Sequence, residues 1–538
     1  MAAPFSPETR EAALAALPSA DLDLLVIGGG ITGAAVARDA ALRGLAVALV
    51  ERIDWAAGTS SRSSKLIHGG VRYLQQGDVS LVREAAAERA VLRRIAPHLA
   101  LPCRMLMPTR SRAAQVKLGL GLWTFERIAG IPADERYERW SASETLRREP
   151  TLDGTQLHGA VTFTEYLTDD ARLVLDTVRG AHAAGALCAN HAEVTAVEGC
   201  EVTLQDAFGG PVRRVRSRAV VNAAGPWVDV VRARARALSG ARLHLTKGIH
   251  LVVRRDRLPV QHIVVMQARD RRSVFAVPHG DFTYLGTTDT DYGAPTAYPE
   301  VTSEDAAYLF EAAERTFAAP PLTSADVVAT WAGLRPLLHE EGKGPSEISR
   351  RDEIMEAENG LVSIAGGKLT THRRMAERVV DLVCRRLGVT RPCRTDTVAL
   401  PNGEEGPEAL RRLGQEVAER LPQLRPGGAE RLIALHGTGC RRLLARIAAR
   451  PEAGAPLPGP SGVLGAEIEE AIDEEMALTL EDVLDRRTRL LLFDARQGLE
   501  TLEAVATLAA ARLGWDRTRT VAEIDGYRHL AASLRSFA

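Results

Sequence analysis

Long apolar runs are absent from this 538-residue chain. Nowhere do about 18 uninterrupted apolar residues occur, so no helix is expected to span a bilayer. Met1 to Ala20 carries Glu8, Arg10 and Glu11 and has no cleavable apolar core, which excludes a signal peptide and leaves a short helical or loose extension. Net charge is nearly absent, at −1, so nothing global points to nucleic acid. Cysteine pairs are absent too. Cys103, Cys188, Cys200, Cys384, Cys393 and Cys440 are scattered without a C-x-x-C, so neither a disulfide framework nor a zinc site is supported, no metal is expected, and a reducing compartment is the default. There is no internal repeat and no low-complexity tract. Lysine is scarce: of 68 basic residues only Lys65, Lys117, Lys247, Lys343 and Lys368 are not arginine. The few lysines are then enriched for positions that need a compact ammonium rather than a planar fork.

What is present is the composition of an ordinary soluble globular protein, 45% apolar and 25% charged, with length enough for about three domains. The most informative segment is Asp23-Leu-Leu-Val-Ile-Gly28-Gly-Gly30-Ile-Thr-Gly33, followed by a helical run and Val47-Ala-Leu-Val-Glu51. It reads as strand, glycine-rich turn, helix, strand, acid. Gly28 serves the tight turn, Gly30 the approach of the backbone to a pyrophosphate, and Gly33 close packing of helix on sheet. The helix N-terminus presents N–H groups and a positive dipole end to phosphate. Glu51 stands where a carboxylate accepts hydrogen bonds from a ribose. This frame binds a dinucleotide and does not by itself separate FAD from NAD.

Farther along, Gly58-Thr-Ser-Ser-Arg-Ser-Ser-Lys65-Leu-Ile-His68-Gly69-Gly70 is a small-residue segment that cannot form a packed face, so it is expected to wrap a ligand. Val79 to Ile95 reads as an amphipathic helix and Met105 to Pro108 as a short strand. Ala113 to Gly130 is apolar with basic margins, either a core-packed helix or one lying in a membrane interface. A helix opens at Asp169-Asp170, a strand runs near Val194–Val197, and the strand Val215–Val221 ends in Asn222-Ala-Ala-Gly225-Pro-Trp, a second glycine turn beside a dinucleotide. Leu243 to Asp289 is β-rich with a hairpin turn at Pro278–Asp281. Thr302 and Asp305 resemble a capping box for a helix Ala306–Phe317. Trp331-Ala-Gly-Leu-Arg335-Pro336 leads into a loop, and Leu361 to Ala365 is a strand feeding the turn Gly366-Gly367-Lys368-Leu369-Thr370. Beyond Arg394 the pattern is mainly helical.

Taken in order, IGGGITGAAVARDAALRG, TSSRSSKLIHGGVRYL, DDARLVL, NAAGPWV, TKGIHLVV, GTTDTDY, GLRPL and AGGKLTTHRRMAE, with EDVLDRRTR near the C-terminus, resemble the FAD-dependent, aerobic glycerol-3-phosphate dehydrogenases from about Asp21 to about Arg519. The resemblance implies an α/β fold. A Rossmann-like FAD-binding domain of the glutathione-reductase/D-amino-acid-oxidase type would comprise 21–100, 165–240 and 340–392. An inserted antiparallel β-sheet substrate domain would comprise 101–164 and 241–339, and a helical C-terminal domain 393–538. It implies non-covalent FAD, oxidation of sn-glycerol 3-phosphate to dihydroxyacetone phosphate, and electron delivery to membrane quinone from a peripheral position on the cytoplasmic face of the cell membrane. A homodimer stays open.

The reaction takes a hydride from carbon 2 to the flavin and a proton from its hydroxyl, with the carbon held against the ring at roughly 3–3.5 Å. A lone arginine is more often a surface ion pair, but Arg335, within LRPL, suits bidentate phosphate binding, and Arg351 or Arg350 would be a second clamp, the family's Arg-Asp pattern favouring Arg351, followed by Asp352. Lys368 would stabilise negative charge on the reduced ring, and Thr370 would bond the flavin or a substrate oxygen. A strand histidine is usually a satisfied core residue; the family places His250 in the substrate pocket, where an imidazole suits the hydroxyl proton, with water or another pocket group as rivals. Arg72 and Tyr73 match pocket residues that orient the glycerol hydroxyls. For FAD, Gly28, Gly30 and Gly33 take the pyrophosphate and Glu51 the ribose. Thr59, Ser60 and Ser61 would donate to the pyrophosphate or ribityl chain, and Ser64, Lys65 and Leu66 would run beside the ring. Val194 would reach the adenine through its backbone, Ala223 and Gly225 would border the pyrophosphate, and Gly367, Lys368, Leu369 and Thr370 would complete the site. Asp289 is motif-matched, with loop fixing as likely a role as any. The chain departs from the family at His279, where an aromatic residue is usual, and it lacks the long insertion of the oxygen-using glycerol-phosphate oxidases, which favours quinone. The competing readings are such an oxidase, a related flavin oxidase of a 2-hydroxy acid or amine, and a silent FAD-binding protein at a membrane.

Overall fold

The computed structural model describes residues 3–69, 78–238, 243–293, 295–338 and 352–537. Two sheets and a helical region share the chain. The first sheet has strand order Glu353–Glu356, Val362–Ala365, Arg213–Asn222, Leu22–Ile27, Val47–Val50, Leu187–Ala189, and it is parallel apart from the first strand. The hairpin Ala192–Glu198 and Glu201–Asp206 continues from the early part of Arg213–Asn222. Strand Leu22–Ile27 is apolar on both faces because both are covered. Leu24 and Val26 pack with helices Ile31–Leu42, Asp170–Ala183 and His372–Leu387, while Leu25 and Ile27 pack with Val194, Val202 and Val215 on the other side. Gly33 makes the first packing possible: a Cβ there would lie 1.9 Å from the Gly28 carbonyl oxygen.

The second sheet runs Thr290–Asp291, Leu243–Arg254, Phe282–Gly286, Ser273–His279, Ile263–Gln267, Leu101–Thr109, Gly159–Leu167, Leu66–Ile67. Val327–Leu338 pairs along the other edge of Leu243–Arg254, and Glu138–Ser141 pairs with Gly159–Leu167. All described pairs in it are antiparallel except Ile263–Gln267 with Leu101–Thr109. The expected strand at 105–108 is thus longer, and the Leu-Arg-Pro-Leu segment is not the entry to a loop but part of a twelve-residue strand, because Leu243–Arg254 supplies it with a ladder partner. Leu66–Ile67 and the end of Gly159–Leu167 pair with one another in this sheet, which carries two short pieces of the expected FAD-binding segments, 66–67 and 165–167, into the second sheet. The capping box at Thr302 and Asp305 forms, and its helix is Ser303–Glu314, starting at the first residue after the cap rather than at Ala306.

From 407 onward the described elements are helical. Helices Gly465–Asp473, Leu502–Leu513 and Arg517–Ser533 share one core with the second sheet, where Val463, Leu484, Leu491 and Tyr527 join Val252, Tyr284 and Trp331. A π-helical turn, Asp482–Arg487, connects this region to the dinucleotide side by buried charge. Arg486 and Arg487 both bind Asp54 Oδ2, at 2.7 and 2.6 Å, and Arg487 also binds Oδ1. Arg172 binds Glu475 through both carboxylate oxygens. Asp54, His191 and Asp482 bring three ligand-type atoms together, but Arg486 reaches both aspartates, so the cluster is an ion-pair core and not a cation site. Removing one partner from such a core strands its cations without water. Asp54→Ala is therefore expected to cost about 3–5 kcal/mol, read as a lower midpoint in thermal unfolding; a midpoint equal to wild type would show that these arginines find other partners.

Candidate active site

The dinucleotide fingerprint opens onto a cleft with about 890 Å³ of empty space, open solvent included. Gly28 and Gly30 line it, and helix Ile31–Leu42 begins there. Glu51 stands at one side, its Oε2 accepting from Gly29 N at 2.6 Å and its Oε1 from Ile53 N at 2.8 Å. Burial pushes this carboxyl up, and the two N–H groups oppose the shift. Thr59, Ser60, Val194, Ala223 and Gly225 also line the cleft. Ser60 Oγ accepts from Ile31 N at 3.0 Å, so it sits on the helix N-terminus where an anion would bind. Val194 reaches the cleft, and its carbonyl accepts from Arg234. Arg52 over the Trp227 ring, centroid distance 5.0 Å, is a feature of the rim that motif reading missed.

Several of the motif positions also have partners inside the protein. The Thr59 hydroxyl donates to Leu334 O at 2.6 Å, tying this loop to the strand that carries Arg335. Ser61 is buried, with its hydroxyl toward Gly58 O at 3.5 Å. Lys65 is buried and its ammonium is held by Asp170 at 2.7 Å and Ser61 O at 3.0 Å, so its charge fixes the loop. Leu66 is a buried strand residue, and Leu369 packs against the core of the first sheet. In each case a group inside the protein is satisfied by a partner that the fold supplies. Thr370 Oγ1 donates to His68 O at 3.2 Å, which joins the Gly366-Gly367 turn, and Lys368 in it, to the same loop. Arg72, Tyr73 and Arg351 lie outside the described residues.

His250 and Arg335 come together on facing strands. In the ladder His250 is opposite Trp331, Gly248 opposite Gly333, and Thr246 opposite Arg335, so all six share one face of the sheet. Arg335 Nη1 binds Asp289 at 2.9 Å and Nη2 binds Thr287 Oγ1 and Thr288 O, each at 3.1 Å; Asp289 thus orients the guanidinium. His250 is 2% exposed, stacks on Trp331 at 4.6 Å and 11°, and meets Ser64 Oγ through Nε2 at 2.9 Å. Burial, then Arg335 and Lys65, hold its pKa well below the usual imidazole value, so the ring is neutral at physiological pH. His279 packs on Phe493 of the helical region at 3.9 Å between ring centres, and burial lowers it to about 4.

Residues 23–382 match the family model described as FAD dependent oxidoreductase, and residues 393–520 match the C-terminal domain of alpha-glycerophosphate oxidase. The aerobic glycerol-3-phosphate dehydrogenase of Bacillus subtilis (strain 168) is 39% identical over 528 residues, 95% of each chain. That of Staphylococcus haemolyticus (strain JCSC1435) is 37% identical over 531 residues, 95% of this chain and 94% of that one. The chain belongs to the aerobic glycerol-3-phosphate dehydrogenase family. The structure of the glycerol-3-phosphate dehydrogenase from Bacillus halodurans complexed with FAD aligns over 99% of both chains with TM-score 0.82 and 34% identity. L-alpha-glycerophosphate oxidase from Mycoplasma pneumoniae, at 18% identity, TM-score 0.55 and coverage of 71% of this chain and 99% of that, shares the fold. The resemblance read from the motifs and the expected fold class are both borne out.

Within this family site, motif reading missed the residues that carry no chemistry of their own. A Cβ at Gly286 would lie 2.0 Å from His250 Cδ2, and one at Gly248 would lie 2.2 Å from Arg335 Nη2. Glycine inside a strand signals such a close approach, and that signal was available in KGIH and LGTT. Glu165 was missed as well: Gly69 N donates to it at 2.9 Å, and burial raises it to about 7. Gly286→Ala is expected to displace the His250 ring and to impair turnover as severely as loss of the imidazole, with circular dichroism unchanged. Full turnover in that variant would mean that the ring is not needed in this position.

Proposed function

We propose that this chain oxidises sn-glycerol 3-phosphate to dihydroxyacetone phosphate on non-covalently bound FAD and passes the electrons to membrane quinone. The observation that carries the reading is the pairing of Arg335, held by Asp289, with a buried neutral His250 on one sheet face, in a chain of this family. The cleft fits the cofactor's adenosine half: glycine backbone and a helix N-terminus for pyrophosphate, and the Glu51 carboxylate for the ribose. Bound FAD supplies the two-electron acceptor.

The chain's own groups do the rest. Arg335 binds the substrate phosphate through the guanidinium edge that Asp289 and Thr287 orient, with Arg351 as a second clamp. Arg72 and Tyr73 orient the glycerol hydroxyls, and Thr370 offers a hydroxyl to the flavin or a substrate oxygen. Lys368 places a cation where charge accumulates during reduction. His250 accepts the hydroxyl proton, and being neutral it has room to do so. Only unprotonated imidazole is a base, so the rate of anaerobic flavin reduction should rise with pH through the His250 pKa. That acid limb should lie below pH 6.5 because the pKa is depressed.

The purified protein should absorb as a flavoprotein and bleach when millimolar glycerol 3-phosphate is added without oxygen; no bleaching would sink the proposal. Arg335→Ala should retain FAD and weaken substrate binding by about 10- to 100-fold, as expected for loss of a charged hydrogen-bonding partner. Stoichiometric peroxide in air, rather than quinone reduction, would favour the oxidase alternative that the C-terminal family match keeps in view.

Membrane attachment belongs to helix Arg112–Ala129. Gly119, Leu122 and Phe125 pack inward, while Val116, Leu120 and Trp123 are exposed, Leu120 at 63%. This split supports reading the helix as both a core element and an interfacial one, with Arg112, Lys117 and Arg127 beside the apolar stripe and Arg127 over Trp123 at 5.2 Å. No helix among the described residues is long and apolar enough to cross a membrane. Leu120→Glu with Trp123→Glu should abolish flotation with anionic liposomes while the flavin still bleaches; undiminished flotation would remove this helix as the attachment site.

A further inference from the structure

Ser64 is fixed by the fold. The carbonyls of three successive residues accept hydrogen bonds from three separate parts of the chain: Ser63 O from Trp331 Nε1 at 3.1 Å, Ser64 O from Tyr284 Oη at 2.9 Å, and Lys65 O from Thr168 N at 3.0 Å. Lys65 adopts φ of 53°, a left-handed conformation that side chains disfavour, and its ammonium on Asp170 and Ser61 O holds it there. With the backbone pinned on both sides, Ser64 Oγ sits 2.9 Å from His250 Nε2. The imidazole is equally constrained, stacked on Trp331 with its Cδ2 edge over Gly286.

The other ring nitrogen is the informative one. His250 Nδ1 is buried and has no hydrogen-bond partner among the described residues. Two neutral tautomers are available to the ring. With the proton on Nδ1, a buried N–H is left without an acceptor, the rarer and costlier kind of orphan. With the proton on Nε2, Ser64 Oγ accepts it, and Nδ1 keeps a lone pair.

We propose that Ser64 is the positioning residue of His250: by accepting the Nε2 proton it leaves Nδ1 as the basic nitrogen that receives the substrate's hydroxyl proton. This rests on His250 being the base, as proposed above. In the step, the substrate O–H bond breaks, an N–H bond forms at Nδ1, and the resulting imidazolium keeps its Nε2–H on Ser64 Oγ. The hydroxyl thus plays toward His250 the orienting part that a carboxylate plays in hydrolytic triads. The charged and titratable groups facing the ring are Arg335 from its neighbouring strand, Lys65 from the loop and the Tyr284 phenol from the other neighbouring strand. Both cations oppose protonation, so an acceptor for Nε2–H has a large part in stabilising the imidazolium.

The test is Ser64→Ala, with Ser64→Thr as the conservative control, in anaerobic stopped-flow reduction of the bound flavin by glycerol 3-phosphate across pH. Ser64→Ala should slow reduction by about 10- to 100-fold at unchanged FAD content and unchanged substrate saturation, move the acid limb to lower pH, and leave Ser64→Thr near wild type. In 15N-histidine spectra of the holoprotein, His250 should carry its proton on Nε2 in the wild type and lose that preference in Ser64→Ala. Wild-type reduction with an unmoved acid limb, or an Nδ1-protonated ring in the wild type, overturns the assignment. So does loss of FAD with a normal rate per bound flavin, which would make Ser64 a cofactor contact. His250→Gln separates the two levels. Wild-type reduction in His250→Gln removes the base itself; slow reduction there with a normal Ser64→Ala removes only the role of Ser64.

Discussion

Arg62, Lys65, Arg486, Arg487 and Arg489 are buried together, and the arrangement of the cofactor-side loop follows from the need to neutralise them. Desolvated guanidinium and ammonium groups require carboxylates at hydrogen-bond distance. Asp170 holds Lys65, Asp485 holds Arg62, Asp54 holds Arg486 and Arg487, and Asp169 holds Arg489 at 3.0 Å. The partners come from different parts of the chain, so the helical C-terminal region and the dinucleotide-binding sheet cannot separate without exposing unpaired charge. The loop between Gly58 and Lys65, too rich in small residues to pack by itself, is held rigid by this network.

The second sheet is built on that rigidity. Strands Leu243–Arg254 and Val327–Leu338 set His250 beside Trp331 and Arg335 opposite Thr246, and the facing pair Gly248 and Gly333 leaves a gap between them. Arg335 extends across the space over Gly248, and the Arg62 carbonyl enters over Gly333, where a Cβ would be 2.6 Å away. Thr59, Trp331 and Tyr284 complete the link between loop and sheet by hydrogen bonds. The helical region contributes Phe493, in contact with both His279 and Trp331, so it packs on the same face of the sheet.

The adenosine end of the site was legible because it is local. Gly28, Gly30, Gly33 and Glu51 lie within one strand–helix–strand unit, and each has a job that follows from backbone geometry near a phosphate or ribose. The chemical end was legible only through the family's motifs. Nothing in the apolar surroundings of His250 distinguishes it from an ordinary strand histidine, and Arg335 is one arginine among many. The protein partners of Thr59, Ser61 and Lys65 could not be read from the sequence, because a small polar or charged side chain takes a partner that depends on where Leu334, Gly58 and Asp170 lie in the fold.

The sequence by itself determined the dinucleotide unit, the order of strands and helices along most of the chain, and the family, since these rest on spacing, period and contiguous motifs. Tertiary structure alone decided that Leu-Arg-Pro-Leu is a strand, that Asp289 orients Arg335, that the apolar helix has one buried and one exposed face, and that Ser64 meets His250. Each of these joins residues far apart in the chain, as Ser64 and His250 are, and the energy of a buried pair depends on which groups the fold brings within about 3 Å. Neither residue's neighbours in the chain carry that information.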